Sequence, residues 1–299
     1  MTENQKSAAT AFDRLAPMTF VLLWSTGWIS AKYAAFDADA LTFLSLRFAL
    51  AGALLAVYAR LAGALWPGTR AQWGHAMVSG VLLHAVYLGG VWWGLRHGVS
   101  TALSGVIAAL QPILTALLAP AFVGERISAG RWLGVACGFA GILIVLSPRF
   151  AQLGAGEIAA TAWPLVINVV GMVGVTLGTF YQKRFIQTGD LRTVTVLQYA
   201  GALRVTLPAA FLFEDRVLNW TPTLIATMAW SVLALSIGAI ALLLLIIRRG
   251  AVSRYAALIY LVPPAVAAEA WLLFGESLSP VQIGGMALTV LGVALATRG

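Results

Sequence analysis

Side chains able to hold a small molecule recur at helical spacing inside long apolar runs of this chain. His84 and Tyr87 stand three residues apart and share one face. Ser104, Ala108, Gln111 and Thr115 form a small, polar stripe in the next run. Asn168, Thr179 and Gln182 fall within one arc of a later run, which also carries Trp163. Trp24 and Trp28 share a face near the start, and Tyr260 stands beside Pro263. The pool is aromatic, amide, hydroxyl and imidazole. It lacks a carboxylate at mid-run, because Glu269 lies toward the end of its own run. Rings stack on a ring or hold an ammonium by cation–π attraction, worth about 0.5–2 kcal/mol. Amides and hydroxyls meet polar ends. The chemistry suits a largely apolar solute with a few polar groups: an aromatic or other hydrophobic amino acid, or a drug-like amine. The candidate contacts are Trp24, His84, Tyr87, Ser104, Gln111, Trp163, Asn168 and Tyr260.

Each candidate also has a structural reading. His84 could be a neutral histidine bonded to a neighbouring helix, or a proton carrier. The stripe through Ser104 could serve close helix packing, as could the GxxxG of Gly174 and Gly178. Trp163 could belong to an interfacial belt, and belt positions explain Trp66, Trp92, Trp93, Trp132, Trp220 and Trp271. Glu125 and Glu276 each follow a glycine at a predicted helix end, where capping or pinning the next helix is expected and proton coupling is the alternative. Catalysis has little to stand on. The three histidines, His75, His84 and His97, form no HExxH, no GxSxG or paired aspartates accompany them, and Ser104 with His84 lacks a third partner. An intramembrane enzyme is the remote alternative. No metal site or cofactor is expected, and without a Walker-type loop a single-chain ATP-driven pump is excluded.

The elements that must position these groups follow from composition. Of 299 residues, 60% are hydrophobic and 10% charged, and the mean hydropathy is +0.88. A soluble domain carries roughly 25% charged residues. Runs of about twenty apolar residues, the length that crosses a bilayer as a helix, recur throughout. The alternation of a membrane β-barrel does not appear. The expected fold is therefore an all-α integral membrane protein. Ten spans are predicted at 18–37, 40–62, 74–95, 99–123, 130–147, 160–182, 193–213, 223–247, 253–274 and 281–297. With the N-terminus in the cytoplasm, thirteen of the 19 Lys and Arg fall on the cytoplasmic side. Lys32, Arg96, Arg149 and Arg216 fall opposite, and Arg47 and Arg204 lie within spans. That bias obeys the positive-inside rule. It makes the +8 charge a set of anchors to anionic lipid and excludes nucleic acid as partner. Residues 1–16 read as a cytoplasmic tail without a signal-peptide core. Cys137 stands alone, so no intrachain disulfide forms.

The chain repeats itself at one constant offset. Pro112 and Pro263, Gly124 and Gly275, Glu125 and Glu276, and Ser128 and Ser279 are each 151 apart, as are Gly134 and Gly285, Gly141 and Gly292, Gly27 and Gly178, and Lys32 and Lys183. Two five-helix repeats result, 17–148 and 160–299, joined by a linker at 149–159. Five is odd, so the second copy enters the membrane from the other side. Inverted repeats are the architecture of alternating-access transporters, with the solute near the midplane between the halves. Pro112 and Pro263, each costing its helix a backbone hydrogen bond, are the predicted hinges.

On these residues each half resembles an EamA-type domain of the drug/metabolite transporter superfamily. FVLLWSTGWISAKYAA resembles that family's first helix, TFLSLRFALAGALL with Arg47 its second, and the Pro…Gly-Glu…Ser frame with a glycine-spaced helix its fourth and fifth. The overall pattern is most similar to YddG-type exporters of aromatic amino acids. The second half departs from it, since Gln198 stands where Arg47 stands in the first. The resemblance implies a central cavity lined by helices 1, 3, 4, 6, 8 and 9, with 5 and 10 packed outside. It implies export of aromatic or hydrophobic amino acids or related metabolites by alternating access, or multidrug export. The expected setting is a bacterial inner membrane, crossed by a monomer with both termini cytoplasmic.

Overall fold

Helices account for the bundle, a computed structural model that describes residues 3–123, 128–151, 158–239, 241–242 and 261–297. In chain order they are α1 (Glu3–Asp37), α2 (Ala40–Leu61), α3 (Arg70–Arg96), α4 (Thr101–Phe122) and α5 (Ala129–Ala151). The second set is α6 (Ile158–Phe185), α7 (Leu191–Phe213), α8 (Pro222–Gly238), α9 (Val262–Phe274) and α10 (Pro280–Thr297). Among the described residues, seven segments are long and apolar enough to cross a membrane, and α8 and α9 are shorter apolar helices. The predicted tail is helical from Glu3 and continuous with the first span. The start of the ninth span and the end of the eighth lie outside the described residues.

The repeats pack upside-down to one another. Where α2 meets α7, Phe48 stacks on Tyr199 at 5.8 Å, and Ser45 donates to Thr206 at 3.0 Å. Rising numbers on α2 thus meet falling numbers on α7. The same reversal appears in α5 and α10, where Gly134 abuts Gly292 and Gly141 abuts Gly285. Phe48 and Tyr199 are themselves partners at the 151-residue offset, so the ring pair sits on the axis relating the halves. Lipid tails supply little drive for helices to associate, so close backbone approach through small residues does that work. A Cβ at Gly292 would collide with the backbone of Gly138. The GxxxG of α6 likewise packs, with Gly174 against Val86 and Gly178 against Leu83.

The doubled frame has a local meaning. Gly275 takes a left-handed conformation, φ 68°, that closes α9. Ser279 Oγ accepts from the Gln282 amide while the Gln282 side chain accepts from the Ser279 amide, a reciprocal cap on α10. Ser128 Oγ accepts from the Arg131 amide and caps α5 at the equivalent place. A Gly-Glu-x-x-Ser frame therefore ends one helix and starts the next.

Two third helices carry a feature that no residue pattern announced. Val81–Val86 in α3 and Trp230–Gly238 in α8 are π-helical, and the first range lands inside the second at the repeat offset. In α4 the helix is interrupted at Ala108–Ala109. Pro112 cannot donate to the Ala108 carbonyl, and Gln111 bonds that carbonyl instead, at 3.1 Å. Pro263 lies in the first turn of α9.

Candidate substrate site at the seam between the repeats

One end of the bundle collects the α1–α2, α3–α4, α7–α8 and α9–α10 connections, and there the two repeats are tied by polar contacts. The Asp39 amide donates to Val217 O at 3.0 Å, and the Val217 amide donates back to Asp39 Oδ2 at 3.0 Å. Asp37 Oδ2 accepts from Thr221 Oγ1 at 2.7 Å. Glu214 caps α2 of the other repeat, accepting from the amides of Leu41 and Thr42 at 2.8 Å each and from Thr42 Oγ1 at 2.9 Å. Glu276 does the same for α4. It accepts from the Ala102 amide at 3.0 Å and Thr101 Oγ1 at 3.1 Å, and it pairs with Lys32 at 3.6 Å. A carboxylate at a helix N-terminus meets free amides and the positive end of the dipole. Glu276, expected at a helix end, meets the first turn of α4 in this way; Glu125 lies outside the described residues. At the opposite end a cavity of about 470 Å³ opens between the α2–α3 and α6–α7 loops, lined by Trp66, Gln72, Phe185 and Asp190 among others.

Below the tied end, three helices from both repeats meet at one hydroxyl. Ser104 Oγ on α4 accepts from Trp28 Nε1 of α1 at 3.1 Å and from Asn168 Nδ2 of α6 at 2.8 Å. All three residues are buried. Ser104 and Asn168 were expected contacts; Trp28 was noted only as sharing a face with Trp24. Trp24 is partly buried and stacks on Phe20 at 5.3 Å. Asn168 Oδ1, buried, has no hydrogen-bond partner among the described residues.

A second cluster surrounds the π-helical turns. His84 projects from α3 against Tyr199 and Phe48, with ring centres 4.9 and 5.9 Å away. Gln198 and Arg47 are its polar neighbours. Arg47, buried in α2, donates from Nε to Ser236 Oγ of α8 at 3.0 Å and lies 5.6 Å from the Trp92 ring centre. Tyr199 donates to the Ser236 carbonyl at 3.0 Å. Tyr87 is buried in the core beside them. Gln111 is partly buried just past the break in α4.

Several sequence expectations change. Trp163 is 59% exposed on a stripe with Val166 and Val170, turned away from Asn168, so it is not brought to the seam. Trp92 is no belt residue: it is 2% exposed and stacks on Phe43 at 4.9 Å. Tyr260 lies outside the described residues. Glu269, set aside as terminal, lies inside the packed region, where Oε1 accepts from Ser25 Oγ of α1 at 2.6 Å. Ser25, Trp28 and Lys32 follow one face of α1 at i, i+3 and i+7. That spacing was the available signal for Ser25, and nothing local marked Ser236.

The EamA-like transporter family matches residues 15–147 and again 162–298. The chain belongs to the EamA-like transporter family. The transporter is 26% identical over 300 residues to the uncharacterized inner membrane transporter YedA of Escherichia coli strain K12, covering 96% of this chain and 93% of that one. It is 24% identical over 277 residues to the uncharacterized transporter YvbV of Bacillus subtilis strain 168, covering 92% and 88%. A solved crystal structure with 20% identity aligns over 95% of this chain and 97% of its own, with a TM-score of 0.65. That likeness concerns the fold.

Proposed function

We propose that this transporter exports aromatic or hydrophobic amino acids, or closely related small metabolites, across a bacterial inner membrane by alternating access. The observation that carries the reading is the seam. Two antiparallel repeats are tied at one end by Asp37, Asp39, Glu214 and Glu276. Just beneath lies a buried amide–indole–hydroxyl cluster of Trp28, Ser104 and Asn168. The groups suit a ring with polar ends, as a hydrophobic amino acid has. The tied end is the outer face and both termini are cytoplasmic, on the strength of the Lys and Arg distribution. Pro112 and Pro263 are the hinges, and the break at Ala108–Ala109 supports the first. The π-helical turns, common at functional sites, are where the third helices re-register as the halves rock. The unit that transports is the monomer.

Flux of each amino acid from proteoliposomes, with and without a pH gradient, tests this. Saturable efflux of phenylalanine, tyrosine, tryptophan and large aliphatic residues is expected, lost in Ser104→Ala and Asn168→Ala. Absence of flux for every amino acid would overturn the reading.

A further inference from the structure

Ser25 has one hydrogen and stands between two oxygens. Its Oγ, on α1, lies 2.8 Å from the Leu22 carbonyl and 2.6 Å from Glu269 Oε1 on α9. A serine hydroxyl donates once. If Glu269 is an ionised carboxylate, both oxygens only accept, and one of these short contacts has no hydrogen in it. If Glu269 is a carboxylic acid, both bonds are made. Oε1–H donates to Ser25 Oγ, and Ser25 donates to the Leu22 carbonyl.

The second oxygen agrees. Oε2 is buried and has no hydrogen-bond partner among the described residues. In a carboxylate it shares the negative charge, and an unpartnered charge within a membrane span is costly. In the acid it is a neutral carbonyl, whose idleness costs far less. A cation held against Oε2 would offset the charge but leave Ser25 short of a hydrogen; a proton on Oε1 settles both. Glu276 and Glu214 show the contrasting pattern, since both oxygens of each accept from amide or hydroxyl donors.

Among the described residues, no neighbour holds Glu269 ionised. α9 packs on α1, α4 and α10. Thr101–Ile107 of α4 and the whole of α10 carry no titratable side chain. On the adjoining stretch of α1, Lys32 pairs with Glu276, Tyr33 stacks on Phe274 and Asp37 accepts from Thr221. No ion pair among the described residues includes Glu269.

Ser25 belongs to one repeat and Glu269 to the other, so their bond crosses the seam. Glu269 stands seven residues, about 10 Å of helix, below Glu276 at the tied end. Opening that end parts α9 from α1, breaks the bond and admits water, in which the ionised form is stable.

We infer that Glu269 is a proton-carrying site, protonated while the outer end is tied and exchanging that proton with the outer solution when the end opens. A proton taken up outside and released to the cytoplasm then drives the solute outward in exchange. The inference rests on the transport reading above and supplies its driving force. It also gives Ser25 a role, as the partner across the seam that favours the protonated form in the tied state.

Infrared spectroscopy and transport test it. The purified full-length chain, in an ester-free detergent at pH 7, should show the carbonyl band of a protonated carboxyl, absent in Glu269→Gln. Ser25→Ala keeps the carboxyl but removes its partner, so it should shift that band and assign it even if Glu269→Gln fails to fold. Wild-type proteoliposomes with an acidic lumen, their membrane potential clamped by potassium and valinomycin, should accumulate L-phenylalanine. The gain is up to about tenfold per pH unit for one-for-one exchange. Glu269→Gln should not accumulate it. No protonated-carboxyl band in wild type, a band untouched by both substitutions, or accumulation by Glu269→Gln equal to wild type would overturn the assignment. Transport separates the two readings. Wild-type liposomes that equilibrate L-phenylalanine but never accumulate it sink only the proton site. Liposomes that move no amino acid sink the transport reading itself, while the band still decides whether Glu269 holds a proton.

Discussion

Removing the Glu276 carboxylate should loosen the tied end. Glu276 makes three contacts with the other repeat: the Ala102 amide at 3.0 Å, Thr101 Oγ1 at 3.1 Å and Lys32 at 3.6 Å. The ion pair is partly solvated, with the two side chains 23% and 17% exposed, so it contributes about 0.5 kcal/mol. The two hydrogen bonds are charge-assisted; discounted for water at the rim, each stabilises by about 1 kcal/mol. All three are lost when the end opens, so Glu276→Ala shifts the closed-to-open balance by about 2–2.5 kcal/mol, roughly a 30- to 60-fold rise in the open population. A reporter is available at Leu103, 2% exposed one residue beyond the bonded amide. In a Cys137→Ser background, Leu103→Cys should react with an impermeant maleimide some 30-fold faster when Glu276→Ala is added. Lys32→Ala should give only about twofold. Unchanged labelling in Glu276→Ala, or an equal effect from Lys32→Ala, would show that these contacts do not hold the end shut.

Three further outcomes follow from the packing. Gly292→Ala should lower unfolding stability by about 1–3 kcal/mol, because the new Cβ meets the Gly138 backbone. Gly284→Ala, eight residues away with open space at its Cβ, should be neutral in the same detergent melt. Ser104→Ala strips the acceptor from Trp28 Nε1 and Asn168 Nδ2 together, and should cost about 1–3 kcal/mol in equilibrium unfolding, with a shifted tryptophan emission. Trp163→Ala should leave ligand affinity within twofold of wild type, since that ring points away from the seam.

The bundle was readable because its determinants are periodic. Apolar run length sets each helix, and one offset of 151 residues sets the repeat. An odd number of spans then inverts the second copy. Of Ser104 and Asn168 the sequence tells that an amide and a hydroxyl inside apolar runs must find partners, and here Asn168 Nδ2 donates to Ser104 Oγ. Trp163 was misjudged because a tryptophan tells depth better than direction; only packing turns it toward lipid or seam. Trp92 erred the other way, drawn inward beneath Arg47 and beside Phe43. Glu269 was dismissed by its distance from a span end. What matters is that α1 covers it with Ser25, a long-range contact with no trace in local sequence. The π-helical turns at Val81–Val86 and Trp230–Gly238 are equally silent, since apolar runs of this kind read as ordinary helix.

The departure from symmetry at Arg47 and Gln198 has a physical account in these contacts. Arg47, on the second helix of its repeat, donates to Ser236 on the third helix of the other repeat. Gln198, on the equivalent second helix, donates to Ser79 on the equivalent third helix at 3.0 Å, next to the first π-helical turn. The task is the same on both sides: a long donor from one half grips a serine beside the π turn of the other. The charge differs. Arg47 is buried with hydroxyl and ring partners, whereas Gln198 Nε2 also donates to Gln182 Oε1 at 3.2 Å. A neutral grip can slide between amide partners at little cost, while a guanidinium moved off its partners in low dielectric pays a steep desolvation penalty. The Arg47 side of the axis should therefore be the stiffer one. Arg47→Gln, which makes the two grips alike, should leave the fold intact and speed interconversion between the two access states, read as faster maleimide labelling at Leu103→Cys from the tied face.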